Sequence, residues 1–141
     1  MNKQKFAALA FAFAAVAMLA GCQPGSESGD DSVEALKARA EQRLAYLIEK
    51  KAEKAYEYLT PGYRKSKSLE QYVAEKMSVG LKWKRATAGN AECEEDVCTV
   101  FISMEYEVNL PNSGGKPIET FAPLREKWVK LSGTWYFLPE K

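Results

Sequence analysis

The chain holds three thiols, Cys22, Cys93 and Cys98, nineteen carboxylate side chains and no histidine. Without an imidazole, no serine has the base that would make it a nucleophile. General base work would fall to a carboxylate within reach of a substrate proton. Asp30, Asp31 and Asp96 are the only aspartates, and Glu105 and Glu107 are the glutamates on the clearest strand pattern. Both alternate onto the wetter face of that strand, where a solvated surface charge is the plainer reading. No glycine-rich phosphate loop is present. These residue types therefore describe a protein that is not an enzyme and carries no cofactor, and the thiols are what remains to be explained.

The first thiol closes an export signal. Lys3 and Lys5 form a short positive segment, Phe6 to Leu19 is an unbroken apolar run, and Ala20 and Gly21 are small residues before a cut. The run is shorter than the roughly 20 apolar residues of a membrane span. Leu19-Ala20-Gly21-Cys22 resembles the lipobox of bacterial lipoproteins, whose cysteine is acylated and becomes the first mature residue. The resemblance implies residues 1–21 as signal peptide and Cys22 as the lipidation site. A buried acyl chain contributes about 0.8 kcal/mol per CH₂, and stable anchoring needs more than one chain. Such lipoproteins carry a diacylglycerol thioether and usually an N-acyl group, so membrane lipid is the implied partner. Gln23 stands where an Asp would favour inner-membrane retention in a Gram-negative envelope, so the expectation is an outer-membrane anchor facing the periplasm.

With Cys22 acylated, Cys93 and Cys98 can pair only with each other. An exported chain meets an oxidising compartment, so a disulfide is expected. A zinc site would need further Cys or His ligands, and there are none. If Glu95-Asp96 is a two-residue turn, the two cysteines face each other with Cα atoms ~4.5 Å apart, inside the range a disulfide accepts.

Residues 22–31 are small, polar and acidic and read as a flexible tether. Residues 32–141 then form one domain. Loss of Lys3 and Lys5 with the signal leaves 18 basic against 19 acidic residues, a net charge of −1. No basic face invites nucleic acid.

Asp31 is the expected cap of a first helix, with Glu34 three residues on. Leu36, Ala40, Leu44, Leu47 and Ile48 form its apolar stripe, and Lys37, Arg39, Glu41, Arg43 and Glu49 its other face. The stripe resumes at Ala52, Ala55, Tyr56 and Leu59, so the segment is one long helix or two with a kink near Lys51. Thr60-Pro61-Gly62 ends it. Ser68 and Gln71 form a capping box for a later helix, whose buried face is Leu69, Tyr72, Val73 and Met77.

From Leu81 the period becomes two. Thr99 to Leu110 presents Val100, Ile102, Met104, Tyr106, Val108 and Leu110 to a core. Residues 111–120 read as a long, mobile connection. Leu124 to Leu131 and Thr134 to Leu138 flank a Ser132-Gly133 turn, which sets Trp128 opposite Phe137 and Lys130 opposite Trp135. Both faces of this hairpin are apolar, so it is expected to be central or covered.

Helices followed by antiparallel strands give an α+β class, with the helices on one face of a curved sheet. The stretch Leu59-Thr60-Pro61-Gly62-Tyr63-Arg64, Trp128-Val129-Lys130 and Gly133-Thr134-Trp135-Tyr136 resemble the early helices and closing hairpin of the NTF2-like superfamily, a cone-shaped fold. A cystatin-like arrangement is the alternative. Enzymes of that superfamily use Asp with Tyr or protonated Asp donors, or His with Asp. None of the three aspartates here is placed to enter a cone. The aromatics are many for this length. Core filling is the plainer reading; the alternative is a pocket for an apolar or aromatic ligand lined by Tyr56, Tyr72, Trp83, Tyr106 and Trp128. Two functions follow: a lipid-tethered interaction or scaffold module, docking an envelope protein or a second copy, or a small-ligand binding module. A pocket left open between helices and sheet favours the second.

Cys22→Ser should release the protein into the soluble periplasmic fraction. Co-sedimentation of that variant with membranes would refute the lipid anchor.

Overall fold

The computed structural model describes residues 32–78, 80, 82–111 and 114–140. The signal peptide, Cys22, the tether and Asp31 lie outside the described residues. Four helices pack on a four-stranded antiparallel sheet, an α+β arrangement.

Helix α1 spans Val33–Ile48. Its cap is Ser32, whose Oγ accepts from the Ala35 amide at 3.1 Å, one residue later than expected. Leu36, Ala40, Leu44 and Leu47 are buried along one stripe. The helix stops at Lys50, which adopts a positive φ of 61°. The Lys50 amide donates to Leu47 O at 3.1 Å and the Lys51 amide to Tyr46 O at 2.7 Å. That is a Schellman close, with lysine in the left-handed position glycine usually takes. The expected kink is thus a full break, and α2 begins afresh at Ala52–Tyr56.

Thr60-Pro61 does more than end a helix. Thr60 Oγ1 accepts from the Tyr63 amide, and Pro61 opens α3, Pro61–Ser66. Proline suits that first position because its missing N–H is unpaired there anyway. Helix α4, Leu69–Met77, carries both bonds of the expected Ser68/Gln71 capping box. Tyr72 is its buried residue; Leu69, expected on the inner face, is 39% exposed. α4 is short, and its start turns Leu69 outward.

Strands β1 (Lys82–Glu94), β2 (Val97–Val108), β3 (Ile118–Leu131) and β4 (Thr134–Phe137) run as a meander in that spatial order. Cys93 pairs with Cys98 across Glu95-Asp96, and the two form a disulfide with Cα atoms 4.0 Å apart. Val100, Ile102 and Met104 are buried, whereas Leu110 lies past the strand end and is 51% exposed. β3 starts at Ile118, inside the expected loop, and pairs with β2 from Ile118 to Val129.

The Ser132-Gly133 turn sets Trp128 opposite Phe137 and Lys130 opposite Trp135, as the spacing requires. Both turn residues have positive φ, the geometry that matches strand twist. Of the two expected placements, central or covered, the hairpin takes the second at its outer strand: β3 is internal, and β4 is an edge strand covered by chain. The connector between α2 and α3 completes that edge. Phe137 N donates to Tyr58 O at 2.7 Å, and Thr60 N donates to Phe137 O at 3.1 Å. The aromatic edge is satisfied by chain rather than by a neighbouring strand.

Lys50→Gly should raise stability by about 0.5–1 kcal/mol, since an L side chain in the left-handed region costs about 1–2 kcal/mol and glycine returns part of that as unfolded-state entropy. Urea unfolding checks this; a loss of stability would mean that the Lys50 side chain holds the break.

Candidate ligand-binding cavity

The site begins with a charge in an apolar stripe. Positions 36, 40, 43 and 47 follow each other at spacings of four, three and four, so Arg43 stands in line with the buried leucines of α1. Its assignment to the outer face is therefore corrected: Arg43 is 4% exposed. On β3, Glu126 shares the parity of Trp128 and faces the same core, 2% exposed. The two side chains meet as a buried ion pair between helix and sheet.

Every polar group of Glu126 is used. Oε1 accepts from Arg43 Nη2, and Oε2 accepts from Trp128 Nε1 at 3.1 Å. Arg43 is less complete. Nη1 donates to the Tyr72 hydroxyl over a long 3.4 Å, and the guanidinium lies 3.8 Å over the Phe137 ring. Nε is buried without an acceptor among the described residues. Burial pushes the Tyr72 phenol above its ordinary range, and the nearby Arg43 charge partly opposes this. Tyr72 is therefore a neutral phenol at physiological pH.

A cavity of about 310 Å³ opens beside this pair. Its walls come from α1 (Arg43, Leu44, Leu47), the helices α3 and α4 (Tyr63, Tyr72, Lys76), β1 (Trp83), β3 (Leu124 to Lys127) and the segment Phe137 to Glu140. Lys76 Nζ is held at 2.8 Å from Glu75 Oε1 and 5.6 Å from the Tyr72 ring centre. The volume suits a small organic molecule, at the lower end of ligand pockets.

The five aromatics expected to line a pocket divide. Tyr72 and Trp83 line the cavity. Tyr56 packs on Tyr72 with ring centres 5.5 Å apart, and its hydroxyl donates to the carbonyls of Lys67 and Arg64 at 2.7 and 3.1 Å. It braces the α3–α4 junction and does not line the cavity. Trp128 is wholly buried beneath it, bound to Glu126. Tyr106 lines a separate, shallower depression with Lys84, Glu105, Glu119 and Phe121. Arg43, Tyr63, Lys76, Glu126 and Phe137 were not anticipated. For Arg43 and Glu126 the signal was present: each is a charge at an otherwise apolar position of its own period.

Glu107, one of the two candidate bases, is held by Lys82 at 3.0 Å and Lys84 at 3.4 Å. The hydrogen bond from Lys82 lowers its carboxyl below the usual range, as an ion-paired surface group requires. Glu105 lies 3.9 Å from Arg85, half exposed. Neither reaches the cavity lining. Among the described residues no cluster of acidic and thiol side chains could hold a metal ion.

No family model matches the chain, and no curated protein matches it. Among solved structures it is similar to a SEC-C motif containing protein from Rhodopseudomonas palustris, known in solution. The match has a TM-score of 0.53 and 18% identity and covers 77% of this chain and 76% of that one. At that identity the likeness is one of fold.

Removing Glu126 alone, as Glu126→Leu, should cost about 3–5 kcal/mol because it strands a buried guanidinium. The double change Arg43→Met with Glu126→Leu should cost far less than either single change. Urea unfolding of the three variants decides it; additive losses would show that the pair is not coupled.

Proposed function

We propose that this chain is a lipid-anchored, non-catalytic domain of the bacterial envelope, built as an NTF2-like cone, whose open mouth binds a small apolar or aromatic molecule. Acylated Cys22 holds it on the periplasmic face of the outer membrane, and residues 22–31 give the domain reach. Four helices set against one face of the sheet support the cone over a cystatin-like helix wrapped by strands. A disulfide between Cys93 and Cys98 suits an exported chain.

The observation that carries the binding reading is the cavity itself. It is walled by Leu44, Leu47, Trp83, Leu124 and Phe137, and it lies between helices and sheet where a well-filled core would leave no such space. The non-catalytic reading rests on Glu126. It is the carboxylate at the base of the cavity, and both its oxygens are committed to Arg43 and Trp128. A base so held cannot take a substrate proton without breaking a buried ion pair.

A second reading, an interaction or scaffold module, is supported by the sheet's other face. Phe121 is 72% exposed there, and Val97 and Leu131 at the disulfide end are 41% and 40% exposed. Such a face fits an envelope protein or a second copy of the chain.

Native mass spectrometry of the Cys22→Ser protein from an oxidising compartment separates the two. A small mass retained in the native spectrum and lost on denaturation is the expected result. A clean dimer with no small adduct would favour the interaction module instead.

A further inference from the structure

At the buried ion pair the cavity has more hydrogen-bond donors than the carboxylate can satisfy. Glu126, the buried carboxylate, has both oxygens engaged. Arg43 carries five N–H donors, a capacity fixed by its chemistry. One goes to Glu126 and one to the Tyr72 hydroxyl at 3.4 Å, while Nε has no acceptor among the described residues. Tyr72 accepts from Arg43 and keeps its own O–H, which as a neutral phenol it can donate. A buried donor left unmatched costs about 1–3 kcal/mol, and more when it belongs to a charged group. A ligand that brings acceptors recovers that loss; one that brings only donors does not.

Charge points the same way. Lys76 lines the cavity with its side chain 30% exposed, a cation whose charge is shared with Glu75 at 2.8 Å. Glu140 is the other carboxylate of the lining, and it is exposed. Arg125 contributes no charge inward, since its guanidinium lies 5.4 Å over Phe101. Lys127 also stands on the lining, and the rest of the wall is mostly apolar and aromatic, with Trp83 and Phe137 supplying ring surface.

Resting on the binding reading above, we propose that the ligand is an organic anion: an aromatic or apolar body bearing one carboxylate or comparable oxyanion. Its oxygens meet Arg43 and the Tyr72 hydroxyl, and its body packs between Trp83 and Phe137. Arg43 thus serves two roles, as the partner that keeps Glu126 buried and as the donor that selects the ligand. A planar guanidinium suits this double duty because Glu126 and a second carboxylate can approach different edges of one fork.

Isothermal titration of the Cys22→Ser protein with 2-naphthoate and with 2-naphthamide tests this. The pair shares a ring system and differs in charge. Naphthoate is expected to bind at least tenfold tighter. That ratio should shrink in Lys76→Gln, a surface change, and in Arg43→Lys, which keeps the charge but removes the fork. Raising salt should narrow it less than Arg43→Lys does, because a buried contact is poorly screened. Equal binding of acid and amide would overturn the anion selectivity while leaving an apolar site in place. Binding of neither compound would overturn both the selectivity and the binding site. Should Arg43→Lys fail to fold, Tyr72→Phe removes the other donor instead, and an acid-over-amide ratio unchanged in that variant would overturn the proposal.

Discussion

A buried ion pair between Arg43 and Glu126 ties the helical layer to the sheet. The partners are 83 residues apart in sequence and almost wholly removed from water. Taking two such charges out of water is expensive, and the attraction compensates only if the remaining polar atoms are also matched. Glu126 meets that condition through the Trp128 indole, and Arg43 approaches it through Tyr72 and the Phe137 ring. The pair therefore fixes more than itself. It sets the distance between α1 and β3, the rotamer of Trp128 and the depth of Tyr72. Among the described residues Arg43 Nε stays unmatched, on a side chain that lines the adjacent cavity.

Local devices hold the two layers in the register the pair needs. A Schellman close at Lys50 turns the chain away from α1, and α2 then delivers Leu59 and Thr60 to the β4 edge. Phe137 is anchored there on both sides, which presents its ring to Arg43. The Ser132-Gly133 turn and the Cys93–Cys98 disulfide lie at the same end of the sheet, since Cys98 is opposite Trp128. The cavity lining reaches from Lys127 and Phe137 near that end to Trp83, Tyr63 and Lys76.

Sequence made the local structure plain wherever a short rule decides it. Ser68 with Gln71 marked a helix start, Ser132-Gly133 fixed a hairpin register, and the spacing of Cys93 and Cys98 matched a two-residue turn. It misled where one residue can serve two neighbours. Pro61 reads as a terminator, yet the same missing N–H lets it open the next helix. The hairpin's two apolar faces asked for a central or covered place, but not for which, and a chain segment covers the β4 edge as a strand would. Arg43 was placed on the solvent side because arginine is usually there, although its position in the stripe said otherwise. The pairing that made its burial tolerable lay 83 residues away, beyond any local pattern. Of the aromatics, type alone could not separate Trp83, which lines the cavity, from Trp128, which lies beneath it.

The most direct measurement is the side-chain Nε–Hε resonance of Arg43, followed by nuclear magnetic resonance as 2-naphthoate is added. If the unmatched donor of the buried guanidinium selects the ligand, the Arg43 Hε signal moves downfield, saturates, and sharpens against exchange with water. Arg85, whose side chain is 71% exposed, then stays where it was. An Arg43 signal that never moves while the exposed arginines do would show that the anion rests on the surface and that the buried pair is purely structural.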